Sequence, residues 1–140
     1  MRFWDSSAIV SLVIEETRTP ALRALREEDP AQTVWCLSEV EIASALARRE
    51  REGLGEKPLE AARVDIAKLV DGWRSVTALE PTRARALRLV RTHALRAADA
   101  LQLAAALVAS EERPESLPFV CLDDRLRDAA RREGFTVLPP

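Results

Sequence analysis

Histidine is nearly absent from this sequence, with His93 alone, and tyrosine is missing altogether. One histidine leaves no material for a His-rich zinc site and little for a Ser-His-Asp triad. His93 reads as an ordinary helix-end residue. No G-x-x-x-x-G-K-[ST] or G-x-G-x-x-G phosphate loop occurs. Aromatic residues make up 4% of the chain, too few for a base-stacking platform. Trp4, Trp35 and Trp73 lie in or beside apolar segments and read as core. Cysteine is scarce too. Cys36 and Cys121 sit in strand-like apolar runs with no zinc spacing, and read as buried free thiols in a reducing cytosol. The apolar stretch Ala8–Ile14 is too short to cross a membrane. Asp5 before it and Glu15-Glu16 after it make it a poor signal segment, so the expected location is the cytoplasm. Lys57 and Lys68 are the only lysines. Positive charge therefore rests on arginine, which suits phosphate forks but also follows from GC-rich coding.

What remains has the balance of a folded protein. The chain has 140 residues, 47% hydrophobic and 31% charged, and a formal net charge of −2. That length predicts a single domain over residues 1–140 with a real core. A net charge so small means that nucleic-acid binding needs a local basic patch or a metal ion.

Short apolar strands alternate with helices along the chain. Strands are expected at Arg2–Trp4, Thr33–Leu37, Phe119–Leu122 and Phe135–Leu138, with a short strand or extended link at Ser75–Leu79. Helices are expected from Thr19-Pro20 to about Glu28, Ser38 to about Glu52, Pro58 to about Val70, Pro81 to about Thr92, Asp99–Ala109 and Asp124–Glu133, the last stopped by Gly134. Ala8–Ile14 fits either state, and its β-branched content leans to strand. ERPESLP, residues 112–118, reads as a loop. The alternation predicts an α/β fold, a largely parallel central sheet covered by helices on both faces. In such sheets sites form at the carboxyl ends of the strands.

Acids gather at those positions. Asp5 follows the first strand, where an N-cap role is also open. Glu41 completes a Ser38-Glu39-Val40-Glu41 capping box, and Glu39 is its rival. Asp99 opens the most apolar helix, LRAADALQLAAALV, where it is either an N-cap or a carboxylate in need of a charge partner or cation. In that helix Asp99, Leu103 and Ala106 share a face, as do Gln102 and Ala106, and the small residues around Asp99 suggest close helix packing. Asp123-Asp124 follow a buried strand, and capping explains one of them. Each acid has a structural excuse. The set of four has a harder time, because a parallel sheet brings those points to one edge. Clustered carboxylates call for a hard divalent cation, such as Mg²⁺ or Mn²⁺, and the chemistry of such a site is phosphodiester hydrolysis. Two basic runs, Arg48-Arg49-x-Arg51 and Arg125/Arg127/Arg131/Arg132, read as solvated helix faces, with RNA backbone contact as the alternative.

Taken in order, these residues resemble the PIN-domain ribonucleases, and among them the compact VapC-type toxins of toxin–antitoxin pairs. The resemblance spans essentially the whole chain. It rests on D-S-S-A at Asp5–Ala8, on SEVEIASALARR with the acid at Glu41, on LRAADALQLAAAL with the acid at Asp99, and on FVCLDDRLRDAARREGF with Asp123 in register. One departure is Cys121, where the family usually has Thr or Ser. The resemblance implies a three-layer PIN-like fold, with Ala8–Ile14 helical. It also implies that Asp5, Glu41, Asp99 and Asp123 line a pocket for one or two Mg²⁺ or Mn²⁺ ions, with Asp5 and Asp99 as principal holders and Ser7 and Asp124 as auxiliaries. Metal-activated water would then cut RNA, leaving a 5′-phosphate and a 3′-hydroxyl. A homodimer, a cognate VapB-type antitoxin, and operator DNA bound only through that antitoxin come with it. The rival readings are an RNA-processing PIN nuclease and a catalytically silent binding module. Phosphatases of the haloacid-dehalogenase type are disfavoured because Ser7 stands where they carry a second Asp.

Overall fold

A computed structural model describes all 140 residues. Strands β1 (Arg2–Trp4), β2 (Gln32–Trp35), β3 (Arg74–Val76), β4 (Phe119–Val120) and β5 (Val137–Leu138) form one sheet in the order β3-β2-β1-β4-β5. Every pairing is parallel. The helices are α1 (Ser6–Val13), α2 (Thr19–Glu28), α3 (Ser38–Arg51), α4 (Glu56–Val70), α5 (Leu79–Thr92), α6 (Ala97–Ala109) and α7 (Asp124–Arg132), with one 3₁₀ turn at Pro114–Ser116. Ser6–Val13 is helical despite its β-branched content. Asp5 caps it by accepting the Ser7 N–H, and four of its residues from Ala8 to Leu12 pack as apolar core.

Side-chain alternation along the strands sorts the core into two layers. Phe3, Trp35, Phe119 and Val137 face α5, α6 and α7. Trp4, Val34 and Val120 face α1 to α4. On the first side the Phe3 and Phe119 rings stack, with centroids 5.4 Å apart, and Phe135 leans on Phe119 at 5.6 Å. Seven of the thirteen residues of α6 are alanine, so it lies close against the sheet. Ala100 and Leu103 to Ala106 are completely buried.

Several boundaries shift for physical reasons. Pro58 and Pro81 are the third residues of α4 and α5 rather than the first. The first turn of a helix leaves its N–H groups without intrahelical partners, so proline is tolerated anywhere in it. β2 starts a residue early and ends at Trp35, because Cys36-Leu37 turn into α3. Cys36 is accordingly half-buried, while Cys121 is buried. Trp4 and Trp35 are core; Trp73 is half-buried at the edge, its Nε1 donating to Gln32. Gly134 ends α7 with φ of +99°, and a Cβ there would meet Pro114 at 3.0 Å. Arg127 corrects the expectation of a solvated arginine face. It is buried, and its guanidinium donates to the carbonyls of Cys121 and Pro139 at 2.6 and 2.7 Å. No helix is long and apolar enough to cross a membrane.

Candidate active site

Strand order reverses at β1, whose neighbours β2 and β4 are followed in opposite directions across the sheet. A crevice opens at the carboxyl ends of the strands at such a reversal. A cavity of about 900 Å³ lies there. Asp5, Glu41, Asp99, Asp123 and Asp124 all line it, as do Ser6 and Ser7. Four elements deliver the acids: the β1–α1 junction, the first turns of α3 and α6, and the start of α7. Glu39 is exposed and lies outside the cavity lining.

Asp5 is buried, 3% exposed. Three donors converge on its Oδ2: the Ser7 N–H at 3.1 Å, the Ser7 hydroxyl at 2.5 Å and the Cys121 thiol at 3.5 Å. Oδ1 accepts none of them. Ser7 also accepts the Leu122 N–H at 3.1 Å, which ties the end of β4 to the end of β1. Cys121 thus takes up the hydrogen bond that a hydroxyl would make there, and burial pushes its thiol well above the ordinary range.

The capping box at Ser38 does not form. Leu37 holds the N-cap position and Ser38 is the first helical residue. Glu41 turns away from the helix start. Its Oε2 accepts from Gln102 Nε2 at 2.7 Å and its Oε1 from the Ser6 hydroxyl at 3.4 Å. Asp99 is not an N-cap either, since Arg96 holds that place. Half-buried in the first turn of α6, Asp99 makes no hydrogen bond or salt bridge, although Arg96 lies near enough to favour its charge. Asp123 is both a cap and a site residue. Its Oδ1 accepts the Leu126 N–H at 2.9 Å, and Oδ2 is left over. Asp124 is the first residue of α7, exposed at the cavity edge.

The carboxylates feel one another. Burial pushes Asp5 up to about 6, and the Asp99 charge adds to the push. Burial pushes Glu41 up to about 7, reinforced by Asp5 and Asp99. Asp99 is raised by burial and by Asp123. None of the four belongs to any of the salt bridges in the structure. No three His, Cys, Asp or Glu side chains are arranged to hold a metal ion by themselves. The set offers hard carboxylate oxygens, several without a protein partner, around a water-accessible space. That suits a cation that keeps much of its water, as Mg²⁺ does.

Arginines stand at the rim. Arg48, Arg96 and Arg125 line the cavity and form no salt bridge, while Arg49 is tied to Glu16. Sequence reasoning missed Ser6, Ser38 and Gln102. A signal for Gln102 existed: a polar amide three residues after Asp99, in an otherwise apolar helix.

The arrangement has relatives. A PIN domain family model matches residues 2–132. Ribonuclease VapC35 of Mycobacterium tuberculosis (strain H37Rv) is 32% identical over 143 residues, covering 100% of this chain and 97% of its own. Ribonuclease VapC49 of the same strain is 33% identical over 138 residues, covering 98% and 94%. The crystal structure of PAE2754 from Pyrobaculum aerophilum shares the fold, with a TM-score of 0.67 at 20% identity, covering 98% of this chain and 90% of that one. A family match over nearly the whole length, joined to full-length relatives above 30% identity, places this chain in the PIN-domain family, among its VapC-type members.

Proposed function

We propose that this protein is a Mg²⁺- or Mn²⁺-dependent endoribonuclease that acts as the toxin of a toxin–antitoxin pair. One observation carries the reading: four carboxylates from four elements surround one cavity at the strand-order reversal, without a single salt bridge among them. Like charges gathered this way raise one another's pKa and destabilise the fold unless a cation joins them. The names of the full-length relatives, both ribonucleases, supply the substrate class.

Each residue has a part. Asp5 offers Oδ1 to the cation while Oδ2 is fixed by Ser7 and Cys121. Asp99, free of hydrogen-bond and salt-bridge partners, would be the other principal holder. Glu41 and Asp123 act through their remaining lone pairs and through water, with Asp124 close by on the rim. When bound, the ion activates water and offsets charge on the phosphoryl group. Arg48, Arg96 and Arg125 contact phosphates that flank the scissile one, and so bring a slightly acidic protein onto RNA. The same reading assigns a VapB-type antitoxin that obstructs the cavity and carries operator DNA binding, a homodimeric toxin, and a cytoplasmic location.

A pair of labelled oligonucleotides, RNA and DNA of one sequence, tests this when incubated with Mg²⁺, Mn²⁺ or a chelator. The expected outcome is RNA cleavage in either ion, none in chelator, and intact DNA. RNA cleavage that persists in chelator contradicts the metal role.

A further inference from the structure

We infer that Gln102 is a positioning residue for Glu41: its amide fixes the carboxylate in the cavity, and so sets how tightly the site takes a divalent cation. The inference rests on the proposed metal-dependent reading of the site. Gln102 is completely buried in α6, one helical turn beyond Asp99. Its Nε2 spends both hydrogens across the α6–α3 contact. One goes to Glu41 Oε2 at 2.7 Å, the other to Ser38 Oγ at 2.9 Å. Ser6 holds the second Glu41 oxygen from α1. The carboxylate is therefore gripped from two helices, in the cavity that Asp5 and Asp99 also line.

The amide's other end shows what the residue is for. Gln102 Oε1 is buried with no hydrogen-bond partner. A buried acceptor without a partner destabilises the fold. A leucine of similar size would remove that orphan but would leave Ser38 Oγ and Glu41 Oε2 without the amide's hydrogens. The amide's bonded end is what glutamine contributes here, and that end holds Glu41. Partners that orient a metal-binding carboxylate from behind commonly change metal affinity by tenfold or more when removed.

Thermal melting under a Mn²⁺ titration tests the inference on four proteins: wild type, Gln102→Leu, Glu41→Gln and the double variant. For Gln102→Leu the expected result is a half-saturating Mn²⁺ concentration raised about tenfold. In the Glu41→Gln background, Gln102→Leu adds no further loss, since it acts through Glu41. Should Gln102→Leu melt too early to titrate, Gln102→Asn retracts the amide without removing it, and the same rise in half-saturation is expected. An unchanged half-saturation in both Gln102 variants overturns the inference, as does an independent loss in the double variant. If wild type shows no Mn²⁺ response at all, the metal reading of the site falls, and the inference with it.

Discussion

The two oxygens of Asp5 divide their labour. Oδ2 caps α1 and takes the Ser7 and Cys121 hydrogens, while Oδ1 accepts none of these bonds and is the oxygen the proposed cation would use. Capping and a place in the cavity are thus compatible at this residue and at Asp123, although the sequence presents capping and a site role as alternatives. At Glu41 and Asp99 the capping explanation fails outright, because Leu37 and Arg96 hold the N-cap positions. Residue types and spacing made the four acids legible. Gln102 was legible only as an oddity, a polar amide in an apolar helix; its partner Glu41, 61 positions away in the sequence, was not. A pH prediction belongs here. Asp5 moves from an ordinary 3.8 to about 6, and Glu41 from 4.5 to about 7. An acid raised in the folded state binds its proton more tightly there than in the unfolded chain. Its stabilising contribution is full below the unfolded value and disappears as pH rises through the folded one. The carboxylates held low elsewhere, Glu16, Asp29 and Glu133, act only below about pH 4.5, the ordinary carboxylate range. Metal-free protein should therefore melt several degrees higher at pH 5 than at pH 8, and Asp99→Asn should shrink that gap. A gap of the opposite sign, read by circular dichroism in chelator, would show that the acids are not strained by one another.

At the scale of elements, the helix starts are where sequence reading went astray. Ser38-x-x-Glu41 has the pattern of a capping box, but tertiary partners on α1 and α6 outcompete it for the Glu41 carboxylate. The run at Ala8 looked strand-like because valine and isoleucine favour strands. Burial of one helix face under α3 and α4, together with the Asp5 cap, overrides that weak preference. Two variants separate cap from site at α7. Asp123→Asn keeps a side-chain acceptor for the Leu126 N–H, so its stability should stay near wild type while cleavage drops. Asp123→Ala should lose about 1 kcal/mol as well. Equal stability losses in chemical denaturation would contradict the dual role. Arg127 joins α7 to the ends of β4 and β5 through buried carbonyls. Arg127→Met orphans them and should cost about 2 kcal/mol or more. An unchanged denaturation midpoint would mean that water replaces the guanidinium.

Over the whole molecule, strand order is what turns scattered acids into a site. The alternation of short strands and helices predicted a parallel sheet, and the acids fell at strand ends. The order β3-β2-β1-β4-β5 was not readable, because nothing local in a strand of two to four residues encodes its neighbour. Yet that order sets β1 beside β4 and brings Asp5 and Asp123 to one crevice across more than a hundred residues. The rim arginines complete the arrangement at this scale. Replacing Arg48, Arg96 and Arg125 together with alanine should weaken RNA binding and flatten its salt dependence by about two to three phosphate contacts. A salt slope equal to wild type, measured by fluorescence anisotropy, would put the substrate elsewhere. The most direct test of the central claim is to map new 5′ ends in total bacterial RNA after incubation with wild type or Asp99→Asn, in Mg²⁺ and in chelator. The account predicts defined new ends with wild type in Mg²⁺ alone. The same ends with Asp99→Asn, or with wild type in chelator, would contradict it.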